Sequence, residues 1–545
     1  MNLWCRGLIT AVFFTGALLT AALFQTAPVQ TAPIQTAGGA PCESLAALAL
    51  PNATITAARI VAAGTFVLPG ANRGRAAGEP AAAAQAAAQG GPAAGARGVA
   101  QVFATLPAFC RVAATLTPSS DSDIKIEVWL PASGWNGKFQ AVGNGGWAGT
   151  IAYPALAQAV ARGYAGASTD TGHTGNSAAF AVGHPEKVVD IGYRAVHEMT
   201  LQAKAIIGAF YGGAPKTSLW NGCSLGGRQG ITEAQRYPAD FDAIIAGAPA
   251  VNNIFLHGAR MMINQTVHRS GGSDIPAAKY PAIHAAVLTS CDALDGVKDG
   301  VIENPTRCRF DPKVLACQGP DGPGCLTPAQ VETAAALYAP VRNPKTGAEI
   351  FPALLMPGSE TDWRILAGPE PVGTAYETFR FVVFQDANWD WHRFNPATDT
   401  ELALKKDNGV LHSGSTDLKA FFNRGGKLLM YHGWSDPQVA PLNSVNYFTS
   451  VGQTAGKNVV GKSLQLYMVP GMAHCAGGPG TDTFDKVAAI EQWVATGKAP
   501  EAISASHSTA GVVDRTRPLC PYGKVAKWQG SGSTDDAANF SCVAG

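Results

Sequence analysis

The most constraining feature of this 545-residue sequence is a G-x-S-x-G motif at residues 222–226. Residues 216–220 precede it and predict a short buried strand, and residues 228–237 predict a helix. A serine at such a strand-to-helix turn projects from its backbone, and the flanking glycines let the neighbouring chain pass without a Cβ clash. We therefore expect the Ser224 hydroxyl at the edge of a sheet. The alternative is an ordinary glycine-rich turn, because the pentapeptide also occurs by chance.

Two further apolar segments end in loops that carry an acid and a base. Residues 426–437 contain Asp436 after a predicted strand, and residues 464–475 contain His474 after another. Open α/β sheets place ligand-binding groups at the carboxyl ends of their strands, and α/β-hydrolases carry Ser, Asp and His in this chain order. We expect Ser224 to attack an acyl carbon, His474 to transfer its proton and Asp436 to fix the imidazole tautomer. A lone turn aspartate or loop histidine is usually structural, so the ordered set carries the prediction.

The charge balance argues against a protein that binds nucleic acid or anionic membranes. The chain has 40 basic and 39 acidic residues, a formal net charge of +1, and only 14% charged residues. Nothing in this balance suggests an electrostatic attraction to polyanions, so we expect a small-molecule partner. Its length exceeds that of a single hydrophobic core, which predicts a subdomain inserted into the main one.

The first 40 residues are predicted to be a signal peptide and linker. Residues 1–6 are weakly basic and residues 8–24 are apolar, as in secretory signals. The alternative is a membrane anchor, because the apolar run is near the lower length limit for a span. After cleavage we expect a secreted or periplasmic protein with no membrane contact. Cys5 lies in this leader, and the ten other cysteines form an even set suited to disulfides.

Several motifs together resemble the tannase and feruloyl esterase family of α/β-hydrolases, which includes bacterial hydrolases of mono(2-hydroxyethyl) terephthalate. The resemblance extends over nearly all of residues 42–542 and is far more specific than the pentapeptide alone. It implies an α/β-hydrolase core with a large lid domain inserted between the nucleophile and the acid. The matching motifs are at residues 142–147, 168–173, 192–197, 222–224, 431–436, 470–475 and 517–522.

The resemblance also implies a set of disulfides, although connectivity does not follow from the sequence alone. Pairing the residue before the nucleophile with the residue after the histidine would clamp the serine turn to the histidine loop. The alternative for these two residues is a pair of free thiols. The implied pairs are Cys42 with Cys110, Cys223 with Cys475, Cys291 with Cys308, Cys317 with Cys325, and Cys520 with Cys542.

An ester hydrolase needs N–H donors for the negative charge that develops on the carbonyl oxygen. The main-chain N–H of Leu225 is the first candidate, because it directly follows the nucleophile. The resemblance points to Gly145 for the second donor, with Gly146 as the less favoured choice. It also places His432 near the substrate, and the alternative there is a structural histidine at a strand end.

The expected domain boundaries follow from these positions. Residues 41–250 and 425–545 form the two parts of the core, and residues 251–424 form the lid. Residues 26–40 and 71–100 are of low complexity and are expected to be linker or surface loop. Aromatic residues of the lid could stack on a planar substrate, although most are expected to pack in its core. They are Trp363, Phe379, Phe381, Phe384, Trp389 and Trp391.

An acidic loop in the lid is a candidate metal site. Asp292, Asp295 and Asp299 could converge with the carbonyls of Val297 and Val301 on a hard cation. The spacing differs from that of an EF-hand, and solvated aspartate turns are the alternative. The resemblance implies structural Ca²⁺, with the predicted bridge between Cys291 and Cys308 tying the loop ends together.

The function expected from this sequence is that of a secreted serine carboxylesterase acting on esters of hydroxylated aromatic acids. Feruloyl esters are the first choice, and galloyl esters or terephthalate monoesters are alternatives within the same chemistry. A serine peptidase or an acyltransferase could use the same three residues, and a catalytically silent binding protein is a third class. The sequence leaves the oligomeric state open.

Overall fold

The computed structural model describes residues 39–69 and 101–545. The predicted signal peptide and the low-complexity segment at residues 71–100 lie outside the described residues. Within those that are described, no helix is both long and apolar enough to cross a membrane.

A nine-stranded sheet forms the centre of the protein, in the order β1-β2-β3-β5-β4-β6-β7-β10-β11. Neighbouring strands are antiparallel from β1 to β3 and between β3 and β5, and parallel from β5 onward. The strands of this sheet are β1 Ala53–Val61, β2 Phe109–Leu116, β3 Ile124–Pro131, β4 Lys138–Val142, β5 Ala165–Thr169, β6 Thr217–Cys223, β7 Ala243–Gly247, β10 Lys427–Gly433 and β11 Leu464–Val469.

Smaller sheets accompany it. They are the hairpin of β8 Val341–Arg342 and β9 Glu349–Phe351, the sheet of β12 Thr483–Phe484, β13 Ile503–Thr509 and β14 Val512–Leu519, and the hairpin of β15 Lys524–Trp528 and β16 Phe540–Ala544. The α-helices are α1 Tyr153–Ala161, α2 Pro185–Val189, α3 Ala195–Tyr211, α4 Leu225–Arg236, α5 Asn253–Val267, α6 Tyr280–Cys291, α7 Pro328–Leu337, α8 Gly373–Glu377, α9 Asp399–Asp407, α10 Lys419–Asn423, α11 Pro441–Ala455 and α12 Lys486–Thr496.

Helices cover both faces of the central sheet. Successive strand side chains point to opposite faces, so Leu428 and Met430 of β10 join one hydrophobic cluster and Leu429 joins another. The first cluster contains apolar residues of α3, α4 and α11, and the second contains those of α12. The resulting helix–sheet–helix layering is the α/β-hydrolase fold that the sequence predicts.

The chain between β7 and β10, called the insertion below, covers the residues for which the sequence predicts a lid. It contains α5 to α10 and the β8–β9 hairpin, and it supplies most members of a further hydrophobic cluster, which also includes Val439 and Ala440 after β10. Most of the aromatic residues singled out from the sequence pack in or against that cluster, namely Trp363, Phe379, Phe384, Trp389 and Trp391. Phe381 instead belongs to a cluster shared with the core.

Five disulfides hold the described chain, and they are the five pairs that the resemblance implies. Two join distant parts of the core, Cys42 to Cys110 and Cys223 to Cys475. Cys291–Cys308 and Cys317–Cys325 lie in the insertion, and Cys520–Cys542 ties the last hairpin to the end of β14.

Candidate active site

Ser224 lies in a sharp turn between β6 and α4. Its backbone has φ of 63° and ψ of −120°, a conformation that costs a non-glycine residue about 1–3 kcal/mol. The turn is held by a hydrogen bond from the Ser224 N–H to the Gly247 carbonyl, 2.9 Å long. Unlike its buried neighbour Cys223, Ser224 remains partly exposed.

The glycines around Ser224 are required by close packing. A Cβ on Gly222 would lie 2.5 Å from the Gly226 backbone, and one on Gly226 would lie 3.1 Å from the Gly143 Cα. These contacts bring three chain segments together below the serine, so only glycine fits at the first position without backbone movement. The sequence-based interpretation of the motif as a tight turn is consistent with this packing.

Asp436 and His474 follow β10 and β11 and meet at the same sheet edge. His474 Nδ1 lies 2.7 Å from Asp436 Oδ2, and the buried Asp436 Oδ1 accepts hydrogen bonds from the N–H groups of Gln438 and Val439. Burial alone would raise the pKa of Asp436, but the charge of His474 and histidine hydrogen bonds hold it below its usual range. Asp436 is therefore an ionised carboxylate that fixes one nitrogen of His474.

His432 is fully buried, with 0% of its surface exposed, and bonds to Asp436 rather than facing an opening. Its Nε2 lies 3.0 Å from both Asp436 Oδ2 and the Val439 carbonyl, so Nε2 carries the hydrogen. Its Nδ1 lies 2.7 Å from Ser444 Oγ. Both ring nitrogens are occupied, and the expected contact between His432 and the substrate finds no support in this geometry.

The Cys223–Cys475 disulfide joins the residue before Ser224 to the residue after His474, with 6.1 Å between the two Cα atoms. No hydrogen bond joins Ser224 Oγ to His474 among the described contacts. Such catalytic contacts are often long without substrate and tighten when it binds. The covalent link limits how far the two loops can separate in the meantime.

The loop after β4 lies against the start of α4, where the resemblance places the oxyanion donors. Gly226 N–H donates to the Asn144 carbonyl at 2.8 Å, which sets Gly145 beside the turn. In the described part of the chain, no protein acceptor is bonded to the N–H of Leu225 or Gly145. The geometry is compatible with both as free donors.

Asn144 and Gln229 lock this loop in place, a feature that the sequence analysis missed. The Asn144 N–H donates to Gln229 Oε1 at 3.1 Å, and Gln229 Nε2 donates to Asn144 Oδ1 at 3.2 Å. Asn144 Nδ2 also donates to the carbonyls of Thr150 and Thr169. The partners are 85 residues apart, and only Asn144 lies in a family motif, the one at residues 142–147.

The insertion reaches the site through a buried arginine of α5. Arg260 donates through Nε to the carbonyl of Gln438, next to Asp436, at 3.1 Å and through Nη1 to Thr374 Oγ1 at 3.0 Å. Trp147 Nε1 in turn lies 3.4 Å from the Thr374 carbonyl. Burial lowers the pKa of Arg260 to about 10, and the charge of Asp436 opposes that shift. Arg260 thus connects the aspartate loop to the insertion.

An apolar cluster lies beside the serine turn. Trp147 of the glycine-rich loop, Leu225 after the nucleophile and Phe381 of the insertion belong to it, with Phe180 packed against it. Aromatic rings from the core and the insertion therefore belong to the same cluster as the residue directly after Ser224.

The acidic loop of the insertion lies far along the chain from these residues. Asp292 accepts from the N–H groups of Asp299 and Gly300, Asp295 accepts from that of Val297, and Asp299 accepts from that of Val301. Asp299 is also bonded to Arg517, 2.6 Å away. The loop thus has the main-chain turns that bring carboxylates to one side.

Its carboxylates and main-chain carbonyls are oxygen donors of the kind that hard cations take, but Arg515 and Arg517 line the same cavity and already pair with Asp299. Asp295, Asp299 and Val301 line a cavity of about 20 Å³, room for one ion or water. Burial raises the pKa of Asp295 to about 6, and the negative charges of Asp299 and Asp292 add to that shift. Among the described residues, these three aspartates do not present one oxygen each within 4.8 Å of the others.

Comparison with known proteins places the chain in a family. A family model for tannase and feruloyl esterase matches residues 110–543. An uncharacterised esterase of Xanthomonas campestris pv. campestris is 38% identical, over 92% of this chain and 91% of that protein. A probable feruloyl esterase B-1 of Aspergillus terreus is 34% identical, over 80% of this chain and 86% of its own length.

Solved structures of family members have the same fold as this chain. Feruloyl esterase B from Aspergillus oryzae superposes with a TM-score of 0.81 at 31% identity, covering 92% of this chain and 99% of that one. A tannin acyl hydrolase from Aspergillus niger, at 21% identity and with a TM-score of 0.73, shares the fold. This chain belongs to the tannase and feruloyl esterase family, and it is a carboxylic ester hydrolase.

Proposed function

We propose that Ser224, His474 and Asp436 are the nucleophile, base and acid of a hydrolase that cleaves esters of aromatic acids, with feruloyl esters as the preferred substrates. The observation that carries this proposal is the contact between Asp436 and His474 at the sheet edge where Ser224 projects. Asp436 holds Nδ1 of the imidazole, so Nε2 is the nitrogen that exchanges protons with the serine.

The reaction proceeds through an acyl-enzyme. Ser224 Oγ bonds to the ester carbonyl carbon while its proton passes to His474 Nε2, and the N–H groups of Leu225 and Gly145 stabilise the oxyanion. The ester C–O bond then breaks, and the leaving alcohol takes the proton from His474. Water then attacks the acyl carbon while one of its protons passes to His474. The bond from this carbon to Ser224 Oγ breaks, Ser224 recovers its hydrogen from His474, and the carboxylic acid leaves.

The aromatic cluster beside Leu225 supports an aromatic acyl group. Trp147, Phe180 and Phe381 are the aromatic residues in or against the cluster that contains Leu225, and aromatic surfaces favour a planar ring over a flexible chain. The relatives whose names include feruloyl esterase point to the same substrate class. Galloyl esters and terephthalate monoesters are the alternatives.

A methyl-ester series tests this substrate class. We expect kcat/KM for methyl ferulate to exceed that for methyl butyrate by at least about tenfold, because the ring contacts stabilise the transition state. Phe381→Leu should reduce this preference, whereas Phe384→Leu, in the separate cluster of the insertion, should leave it intact. A preference for methyl butyrate would show that the aromatic assignment is wrong while leaving the serine mechanism standing.

His432 acts in this mechanism by positioning Asp436, not by touching substrate. Its Nε2–H donates to the same carboxylate oxygen that binds His474. Loss of one buried hydrogen bond to a charged group corresponds to about 1.5–3 kcal/mol. We therefore expect His432→Gln to lower kcat by roughly 10- to 100-fold with KM nearly unchanged, as measured by steady-state kinetics.

His184→Gln is the matched control, because His184 pairs with Asp121 at an exposed position. It should keep the parent kcat. A His432→Gln enzyme with raised KM and full kcat would instead indicate direct substrate binding.

We also propose that the acidic loop binds structural Ca²⁺ through Asp292, Asp295, Asp299 and the carbonyls of Val297 and Val301. The ion supplies no catalytic step and neutralises Asp292 and Asp295, whereas Asp299 already pairs with Arg515 and Arg517. Its place in the fold, linking the loop to Arg515 and Arg517 of β14 through Asp299, supports a stabilising role.

Chelating calcium is therefore expected to lower the melting temperature. An ion bound only by the folded state at about 100 times its Kd contributes about 2.7 kcal/mol, which is lost on chelation. Asp292→Asn should remove the response in calorimetry, and Asp311→Asn, at an exposed turn outside the loop, should keep it. An equal melting temperature with excess calcium and with chelator would contradict the site.

Secretion is proposed on two grounds. The five disulfides form readily only in an oxidising compartment, and the apolar N-terminal segment has the composition of a signal peptide.

A further inference from the structure

A cluster of metal-ligating side chains lies outside the catalytic site, at the far end of the helix that follows the nucleophile. It consists of His197 on α3, Glu233 on α4 and Asp240 on the loop from α4 to β7. One ligand atom from each lies within 4.8 Å of the others. Glu233 follows Ser224 by nine residues, about 13 Å along the helix axis. His197 ends the motif at residues 192–197, which has no part in the proposed mechanism.

Glu233 is the unusual member of this cluster. It is 1% exposed, and neither of its carboxylate oxygens meets a hydrogen-bond donor among the described residues. Burial raises the pKa of Glu233 well above its usual range, and the negative charge of Asp240 adds to the shift. Two buried carboxylates at this separation need a positive charge between them, either a proton or a metal ion.

A proton and a metal ion would satisfy different numbers of the Glu233 carboxylate oxygens. A proton on Glu233 would bond one of its oxygens to Asp240 and leave the other oxygen buried and unpaired. A metal ion bound in bidentate fashion would satisfy both oxygens. The Lys204 ammonium group lies nearby and donates to the main-chain carbonyl of Asp240, and its positive charge opposes the rise in the pKa of Glu233. It makes no hydrogen bond to either Glu233 oxygen, so both oxygens remain unpaired among the described residues.

His197 provides a third ligand and a route to solvent. Its Nδ1 lies 2.6 Å from Asp240 Oδ2, and its ring stacks on Tyr237 with the centroids 3.6 Å apart, which fixes the direction of the nitrogen. The His197 side chain is 22% exposed, so an ion can reach the cluster from outside.

We propose that His197, Glu233 and Asp240 bind a divalent transition-metal ion of the Zn²⁺ class. One imidazole and two carboxylates suit such an ion, and ligand distances of about 2.0–2.2 Å allow ligand atoms of one ion to lie up to about 4.4 Å apart. Binding replaces the His197–Asp240 hydrogen bond with two metal bonds and releases a proton if that histidine is charged.

The position also suits a cation electrostatically. The cluster lies at the C-terminal end of α4, where the helix dipole is negative. A bound ion would join α3, α4 and the following loop behind the nucleophile turn. Its role is structural, because no ligand reaches Ser224.

Metal titration of the full chain with saturating calcium tests this proposal. After removal of other metals, we expect one equivalent of Co²⁺ to bind, with visible absorption bands, and Zn²⁺ to displace it. His197→Asn and Glu233→Gln should each weaken binding at least tenfold. His507→Asn, which removes another histidine–aspartate pair at an exposed site, should bind as the parent does.

His197→Asn keeps the test informative if Glu233→Gln fails to fold, because His197 is partly exposed. Tight Co²⁺ binding that is unchanged in His197→Asn would place the metal elsewhere and overturn the proposal. The proposal would also be overturned if no binding occurred at millimolar Zn²⁺ and an infrared band of a protonated carboxyl disappeared in Glu233→Gln. That result would show a shared proton in place of a metal.

Discussion

Replacing Ser224 by alanine is expected to lower kcat/KM for methyl ferulate by at least about 10⁴-fold, because residues of such a triad act as a unit and the acyl-enzyme cannot form. His474→Ala should be nearly as severe. Initial rates with purified protein, freed of host esterase, provide the measurement. The folded structure should persist, since Ser224 makes no side-chain hydrogen bond among the described contacts.

Ser463→Ala is the matched control, because this buried serine precedes β11 at the end opposite His474. It should retain parental turnover. A Ser224→Ala enzyme within about tenfold of the parent, equivalent to only about 1.4 kcal/mol of barrier, would contradict the nucleophile assignment.

Asp436→Asn is expected to have the second-largest effect, lowering kcat by about 10⁴-fold, the size that the matching change has in a serine protease. Each carboxylate oxygen of Asp436 accepts two hydrogen bonds. Oδ1 accepts from the N–H groups of Gln438 and Val439, and Oδ2 accepts from His432 and His474. In the asparagine variant, the side-chain NH₂ group would replace one of these oxygens and would face N–H donors at either position. It must therefore either disrupt the loop or force His474 into the wrong tautomer.

Asp123→Asn is the control, since Asp123 pairs with Lys125 on the surface and should keep full activity. Circular dichroism should show that Asp436→Asn remains folded. If that variant kept kcat within tenfold, Asp436 would not be the acid that orients His474.

The lowered pKa of Asp436 also sets the direction of a pH effect on stability. Its folded pKa lies below the unfolded value near 3.9, so the ionised form is stabilised by folding. The stabilisation is present above that unfolded value and is lost as pH falls through the folded pKa. Asp436→Asn should therefore flatten acid unfolding below about pH 4.

Sequence patterns predicted the elements that carry the catalytic candidates, with errors at their ends. The apolar run before Ser224 ends at Trp220, but β6 continues to Cys223 because residues 221–223 still pair with β7. Asn221 and Gly222 hide that extension from a pattern based on hydrophobicity. Chain order, together with strand-end placement, singled out Asp436 and His474, which the structure brings into contact.

Contacts between distant segments were not predictable in the same way. The family resemblance implied a place for His432 near the substrate, but its burial depends on packing against Ser444 of α11 and the Val439 carbonyl. The bonds between Asn144 and Gln229 join residues 85 positions apart. Such pairings follow from how the sheet brings loops together, which local periodicity does not encode.

Serine-directed labelling tests the central claim most directly. A fluorophosphonate reacts only with an activated serine, so intact-mass and peptide mass spectrometry should find one adduct per chain, on the peptide that contains Ser224. The Ser224→Ala protein should take up no label, and His474→Ala should react far more slowly. An adduct on another serine, or undiminished labelling of Ser224→Ala, would contradict the account.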